Sequence, residues 1–105
     1  MLMTSFKMNL KDMIASEPSR AGAINVRKEI LNLLKVYDVV QLDLKNVNFT
    51  PSVADEIVGA LAAEFGAIVF KQKIQLINVS ESQKALMNHV VARRFINSEK
   101  NSHKL

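Results

Sequence analysis

The spacing of apolar residues changes along the chain, and each change marks the end of one element and the start of another. Phe6, Met8 and Leu10 alternate with Lys7, Asn9 and Lys11, the two-residue period of a half-buried strand. A first strand is therefore expected within Thr4–Ile14, near a sheet edge with its lysines on the wet face. Pro18 and Ser19 punctuate the chain. Ala23, Val26, Ile30, Leu33 and Leu34 then recur at the three- and four-residue spacing of one helix face, with Arg20, Arg27, Lys28 and Lys35 mostly off it. Ser19 is the expected cap, and Gly22 lies near the helix start, where glycine is penalised least.

The run Val39-Val40-Gln41-Leu42-Asp43-Leu44 is short, apolar and rich in β-formers, as a central strand covered by helices should be. Lys45 to Asn48 forms the loop beyond its C-terminal end. Thr50-Pro51-Ser52 opens a second helix, and two caps fit. Thr50 would put Pro51 at the first helical position, where its missing N–H costs nothing; Ser52 would form a Ser-x-x-Asp box with Asp55. Val53, Ile57, Leu61 and Phe65 make that helix's core stripe, and Gly66 is its natural stop. Gly59, in mid-helix, costs roughly 1 kcal/mol against alanine, so another element is expected to approach it closely. Ala67–Phe70 reads either as a short strand or as a buried connection. Lys73–Val79 alternates as a strand. Ser80-Glu81-Ser82-Gln83 is a capping box, and it opens a last helix with Leu86, Met87, Val90, Val91 and Phe95 as its stripe.

This order predicts an α/β fold: a small, mainly parallel or mixed sheet of about four strands, joined by right-handed helical crossovers. One domain over residues 1–96 is expected, with 97–105 a polar C-terminal tail. Composition agrees with a globular chain: 105 residues, 49% hydrophobic and 23% charged. There is no cysteine, which excludes disulfides, thiolate zinc sites and cysteine nucleophiles and fits a reducing, cytoplasmic setting. The apolar runs are far short of the roughly 20 residues of a membrane span, and the start lacks the pattern of a signal peptide.

The chemistry on offer is sparse. His89 and His103 are the only imidazoles and lack a metal-ligand spacing. Asp43, Asp55 and Glu56 lie near the strand-end loop, but Asp55 and Glu56 are neighbours that point about 100° apart on a helix, and their place in a first turn is explained by the helix dipole. No glycine-rich phosphate loop occurs. Nothing in the pattern calls for a metal or a cofactor, and the expected protein is not an enzyme. Two features remain. Ser52 stands beyond a buried strand at a helix start, where a phosphate would be tolerated, although a plain cap also explains a serine there. The net charge of +4 is concentrated late, in Lys84, Arg93, Arg94, Lys100 and Lys104, which suits either a nucleic acid or a solvated helix end.

The segment VVQLDLKNVNFTPSVADEIVGAL, preceded by SRAGAINVRKEI and followed by IQLINVSESQKALMNHVVARRF, resembles the STAS-like family of bacterial proteins of unknown function. That family is related to the anti-anti-sigma factor domains. The resemblance spans about residues 5–96. Its most specific parts are the strand ending in Asp43, the Thr-Pro-Ser-x-x-Asp-Glu helix start and the Asn-x-Ser lead into the last helix. It implies a small sheet with helices packed on it and a role as a protein-interaction switch. In the better-known relatives, a serine at the start of the helix after the central strand is phosphorylated by an ATP-binding partner kinase, which breaks the complex; Ser52 is the matching position. Those relatives usually carry Asp-Ser-Ser-Gly there, whereas this chain has Pro51-Ser52-Val53-Ala54.

The expected function is thus regulatory. Residues 46–56 would bind a protein partner, a kinase-like or sigma-regulatory protein, with Asn48, Thr50, Ser52, Asp55 and Glu56 as exposed contacts and Ser52 as a phosphorylation site. The alternative is a nucleic-acid-associated module using Arg93, Arg94, Lys100 and Lys104. A homodimer through a sheet edge or the first helix is left open.

Overall fold

The computed structural model describes residues 3–16 and 19–102, with side chains placed for 3–14 and 19–96. Pro18, His103 and Lys104 lie outside the described residues, and so does the Lys100 side chain. The order is β1 (Ser5–Asn9), α1 (Leu10–Ser16), α2 (Arg20–Leu33), β2 (Val39–Asp43), α3 (Pro51–Ala54), a π-helical turn (Asp55–Gly59), α4 (Ala60–Phe65), α5 (Ala67–Lys73), β3 (Ile74–Ile77) and α6 (Glu81–Ser102). α3, the π turn and α4 follow one another without a break, so 51–65 is one helix with a widened middle turn. The α6 backbone runs on as helix through Ser102, past Asn97 where the polar run begins.

Two expectations are corrected. The first strand ends at Asn9, because alternation gives way to helical spacing: Leu10 and Ile14, four apart, both turn inward from α1, with Leu10 fully buried. The ambiguous run after Gly66 is helical, so the described residues contain three strands rather than about four. Gly66 explains how two helices meet there: at φ +82° it ends α4, and α5 starts at the next residue.

The three strands lie in the order β1-β2-β3 and all pair in parallel. Crossovers of one hand between strands in sequential order put every connection on the same face. Burial follows. Met8, Val40, Leu42 and Ile74 face the helices and are buried, together with Ile30, Ile57, Leu61, Met87 and Val90 from the helical layer. The opposite face carries Lys7, Gln41, Asp43 and Gln75, and its polar groups pair with each other: Gln41 Nε2 donates to Gln75 Oε1 at 2.7 Å, and Lys7 lies 3.6 Å from Asp43. Parallel sheets are usually covered on both faces and read as continuous apolar strands; here the polar alternate positions fit a face left open. No described helix is long and apolar enough to cross a membrane.

Candidate functional site

The site grows from the C-terminal end of β2. The strand stops where Asp43 turns its carboxylate back on the loop, accepting from the Lys45 backbone N–H and from Asn78 Nδ2, each at 3.0 Å. These two bonds, then the nearby Lys7 ammonium, hold the Asp43 carboxyl below its ordinary pKa. Asn46 and Asn78 both take left-handed backbone (φ 60° and 56°) at the ends of β2 and β3, a conformation asparagine tolerates better than most residues. Beyond Asn46, Val47 and Phe49 turn inward while Asn48 and Thr50 stay exposed.

Gln83, in the first turn of α6, fixes this loop. Its Oε1 accepts from the Ser80 N–H at 2.9 Å while Ser80 Oγ accepts from the Gln83 N–H, which closes the expected capping box. The same amide then donates from Nε2 to the Leu44 and Val47 carbonyls at 2.9 and 2.7 Å. Gln83 is buried, and all its polar capacity in that direction is used. The Ser-x-x-Gln spacing revealed the cap, but nothing local revealed the reach to residues nearly forty positions away.

The start of the next helix is settled. Thr50 Oγ1 accepts from the Val53 N–H at 3.2 Å and Pro51 stands at the first helical position, so Thr50 is the cap. Ser52, relieved of capping, is exposed, and its Oγ accepts from Arg20 Nη2 at 3.3 Å.

Asp55 and Glu56 behave differently from the exposed contacts expected of them. Glu56 is buried and held by two guanidinium groups, Arg20 at 2.8 Å and Arg27 at 3.0 Å. Arg27 also donates to the Glu56 backbone carbonyl, supplying a donor from outside where the π turn loosens the helical ladder. Asp55 takes both ends of the Arg94 fork, Nε and Nη2, at 2.8 Å each. This hydrogen-bonded pairing raises the Arg94 pKa above its ordinary value. Gly59 allows it: a Cβ there would stand 2.7 Å from Asp55 Oδ1 and 3.3 Å from Arg94 Cγ. The close approach expected at this glycine comes from α6.

These contacts close one side of a cleft of about 720 Å³ between the start of the 51–65 helix and α6. It is lined by Arg20, Ser52, Asp55, His89, Arg93 and Arg94, with an apolar wall that includes Pro51, Leu86 and Val90. Two sequence features read as rivals, the Ser52 helix start and the basic late helix, are thus walls of one cavity. Arg94 is committed to Asp55, while Arg93 is exposed. Arg20 was missed as a site residue because its partners lie 32 and 36 positions away. Among the described residues, no cluster of three His, Asp or Glu could hold a metal ion.

Residues 22–84 match the family described as the STAS-like domain of unknown function. The chain belongs to this family. The matched stretch of the STAS-like domain holds the whole strand-end loop, Ser52, the π turn and the Ser80–Gln83 cap. Arg20 and the α6 wall of the cleft, His89, Arg93 and Arg94, fall outside it. No curated protein and no solved structure matches the chain.

Proposed function

We propose that this STAS-like domain is a regulatory, non-enzymatic protein-interaction module that engages a protein partner through residues 46–56, with Ser52 as its point of control. The observation that carries the reading is the Gln83 bridge to the Leu44 and Val47 carbonyls. It makes the strand-end loop a rigid platform from which Asn48, Thr50 and Ser52 project, and preorganisation of that kind lowers the ordering cost of binding. Glu56 drops out of the contact set because it is buried. Asp55 serves the surface indirectly, by anchoring Arg94. The partner class that best fits the family resemblance is an ATP-binding kinase-like or sigma-regulatory protein.

A phosphate on Ser52 would add roughly −1.5 to −2 charge to this platform, beside the Arg20 guanidinium. The test begins with affinity capture of the tagged chain from its own cells, reading both the partner and the Ser52 phosphopeptide by mass spectrometry. Binding of the captured partner is then compared between Ser52→Asp and Ser52→Ala. The aspartate variant should bind at least tenfold more weakly, a loss of about 1.4 kcal/mol or more, and the alanine variant should bind like the parent. Equal affinity of the two would refute the switch.

A further inference from the structure

The cleft beside Ser52 is cationic on its rim and apolar on one wall. Arg20, Arg93 and Arg94 line it with the Asp55 carboxylate, and Glu56 and Arg27 stand behind Arg20, so four guanidinium groups meet two carboxylates and two positive charges are left in excess. The three guanidinium groups are not equivalent. Arg94 is locked by its two-pronged pairing with Asp55. Arg20 is 59% exposed, and the buried carboxylate it touches, Glu56, is also held by the better-buried Arg27. Arg20 can therefore turn to a ligand without leaving a buried charge unpaired. Arg93 is exposed and takes part in none of the ion pairs found among the described residues. Ser52 Oγ accepts from Arg20, which leaves its own hydrogen to donate.

From this arrangement we infer that the cleft binds a small phosphate monoester, its phosphate held by Arg20, Arg93 and the Ser52 hydroxyl and its apolar body against Pro51, Leu86 and Val90. The excess of two charges matches a dianion. Three terminal oxygens can accept from three separate donors, which the two oxygens of a carboxylate cannot do as well. The volume of about 720 Å³ lies in the range of small-molecule sites, and Pro51, Leu86 and Val90 give a ligand's body one apolar surface beside the charged rim. A nucleic-acid strand fits less well. The described exposed residues of α6 include only Lys84 and Arg93 as cationic groups, Glu81 opposes them, and the cleft offers a base no Phe, Tyr or Trp to stack on, only the single imidazole of His89. The inference requires neither a protein partner nor modification of Ser52.

The test uses the full chain labelled with ¹⁵N and titrated at constant ionic strength with phenyl phosphate, inorganic phosphate and benzoate. Phenyl phosphate should shift the Ser52 and His89 amide signals and the Nε–H signals of Arg20 and Arg93 in a saturable way, and several-fold more tightly than either other anion. Arg93→Ala and Arg20→Ala should each weaken it about tenfold, as loss of a charged hydrogen bond does, with an otherwise unchanged spectrum confirming the fold. Lys84→Ala, on the same helix but off the cleft, should leave it unchanged. No saturable shift up to about 20 mM, where even a weak site responds, or an equal loss in Lys84→Ala, would overturn the site. Inorganic phosphate binding as tightly as the phenyl ester would overturn the role of the apolar wall and with it the ester assignment. Partner capture can fail while this titration succeeds, and the reverse, so the two readings are separable.

Discussion

Replacing Gly59 by alanine would gain about 1 kcal/mol of helix propensity, yet the new methyl would stand 2.7 Å from Asp55 Oδ1. That oxygen cannot swing away freely, because Arg94 holds both oxygens of the carboxylate. Overpacking of this kind costs about 1–3 kcal/mol, so packing should win and Gly59→Ala should destabilise. Adding Asp55→Ala removes the obstacle, and in urea denaturation the glycine substitution should then cost less than it does in the parent. A second single-residue effect concerns acid. The Asp43 carboxyl titrates below its ordinary value of 3.8, chiefly through Asn78 and the Lys45 N–H. Its contacts therefore add stability above about pH 4 that is lost as pH falls through the lowered pKa. Asn78→Ala should move the Asp43 titration upward, read from its carboxyl carbon by NMR.

At the scale of elements, Gln83 joins the last helix to the loop after β2, and its two duties can be separated. Gln83→Glu keeps an acceptor for the Ser80 N–H but loses the donor to the Leu44 and Val47 carbonyls. Two buried acceptors left beside a carboxylate should cost more than the roughly 1 kcal/mol of a lost cap, about 2 kcal/mol or more by chemical denaturation. The same residue shows what sequence could reveal. The Ser80 box, the Gly66 stop and the α2 and α6 stripes are signals carried within a few residues, and all were legible. The turn of Leu10 into a helix was hidden because Leu10 continues the alternation of Phe6 and Met8. α5 was ambiguous because a four-residue apolar run has too few positions to display a period. The cleft was invisible for a different reason: Arg20 meets Ser52 and Glu56, and Asp55 meets Arg94, across 32 to 39 positions. No local pattern encodes such a meeting.

The whole molecule is two layers deep, with helices on one face of the sheet and polar side chains on the other. Neighbouring residues of β2 should therefore answer very differently to truncation. Leu42→Ala, fully buried under the helices, should cost about 2–5 kcal/mol. Gln41→Ala, on the open face, should cost about 1 kcal/mol or less. Thermal melts of the two variants, made side by side, check the asymmetry; similar losses would mean that something covers the open face.

The parallel pairing has one more consequence. Gln41 bonds to Gln75 and Thr4 to Asp38, in both cases across 34 residues, and the two strand pairings keep this same offset throughout. The sheet is thus laid down in two steps of equal contour length. Closing either loop costs the chain the same entropy, so length alone gives neither pairing a head start. On a ribosome the tie is broken by direction: β1 and β2 emerge before β3, and the growing chain can seat its first pair before the third strand is available. A chain refolding from denaturant has no such order imposed on it.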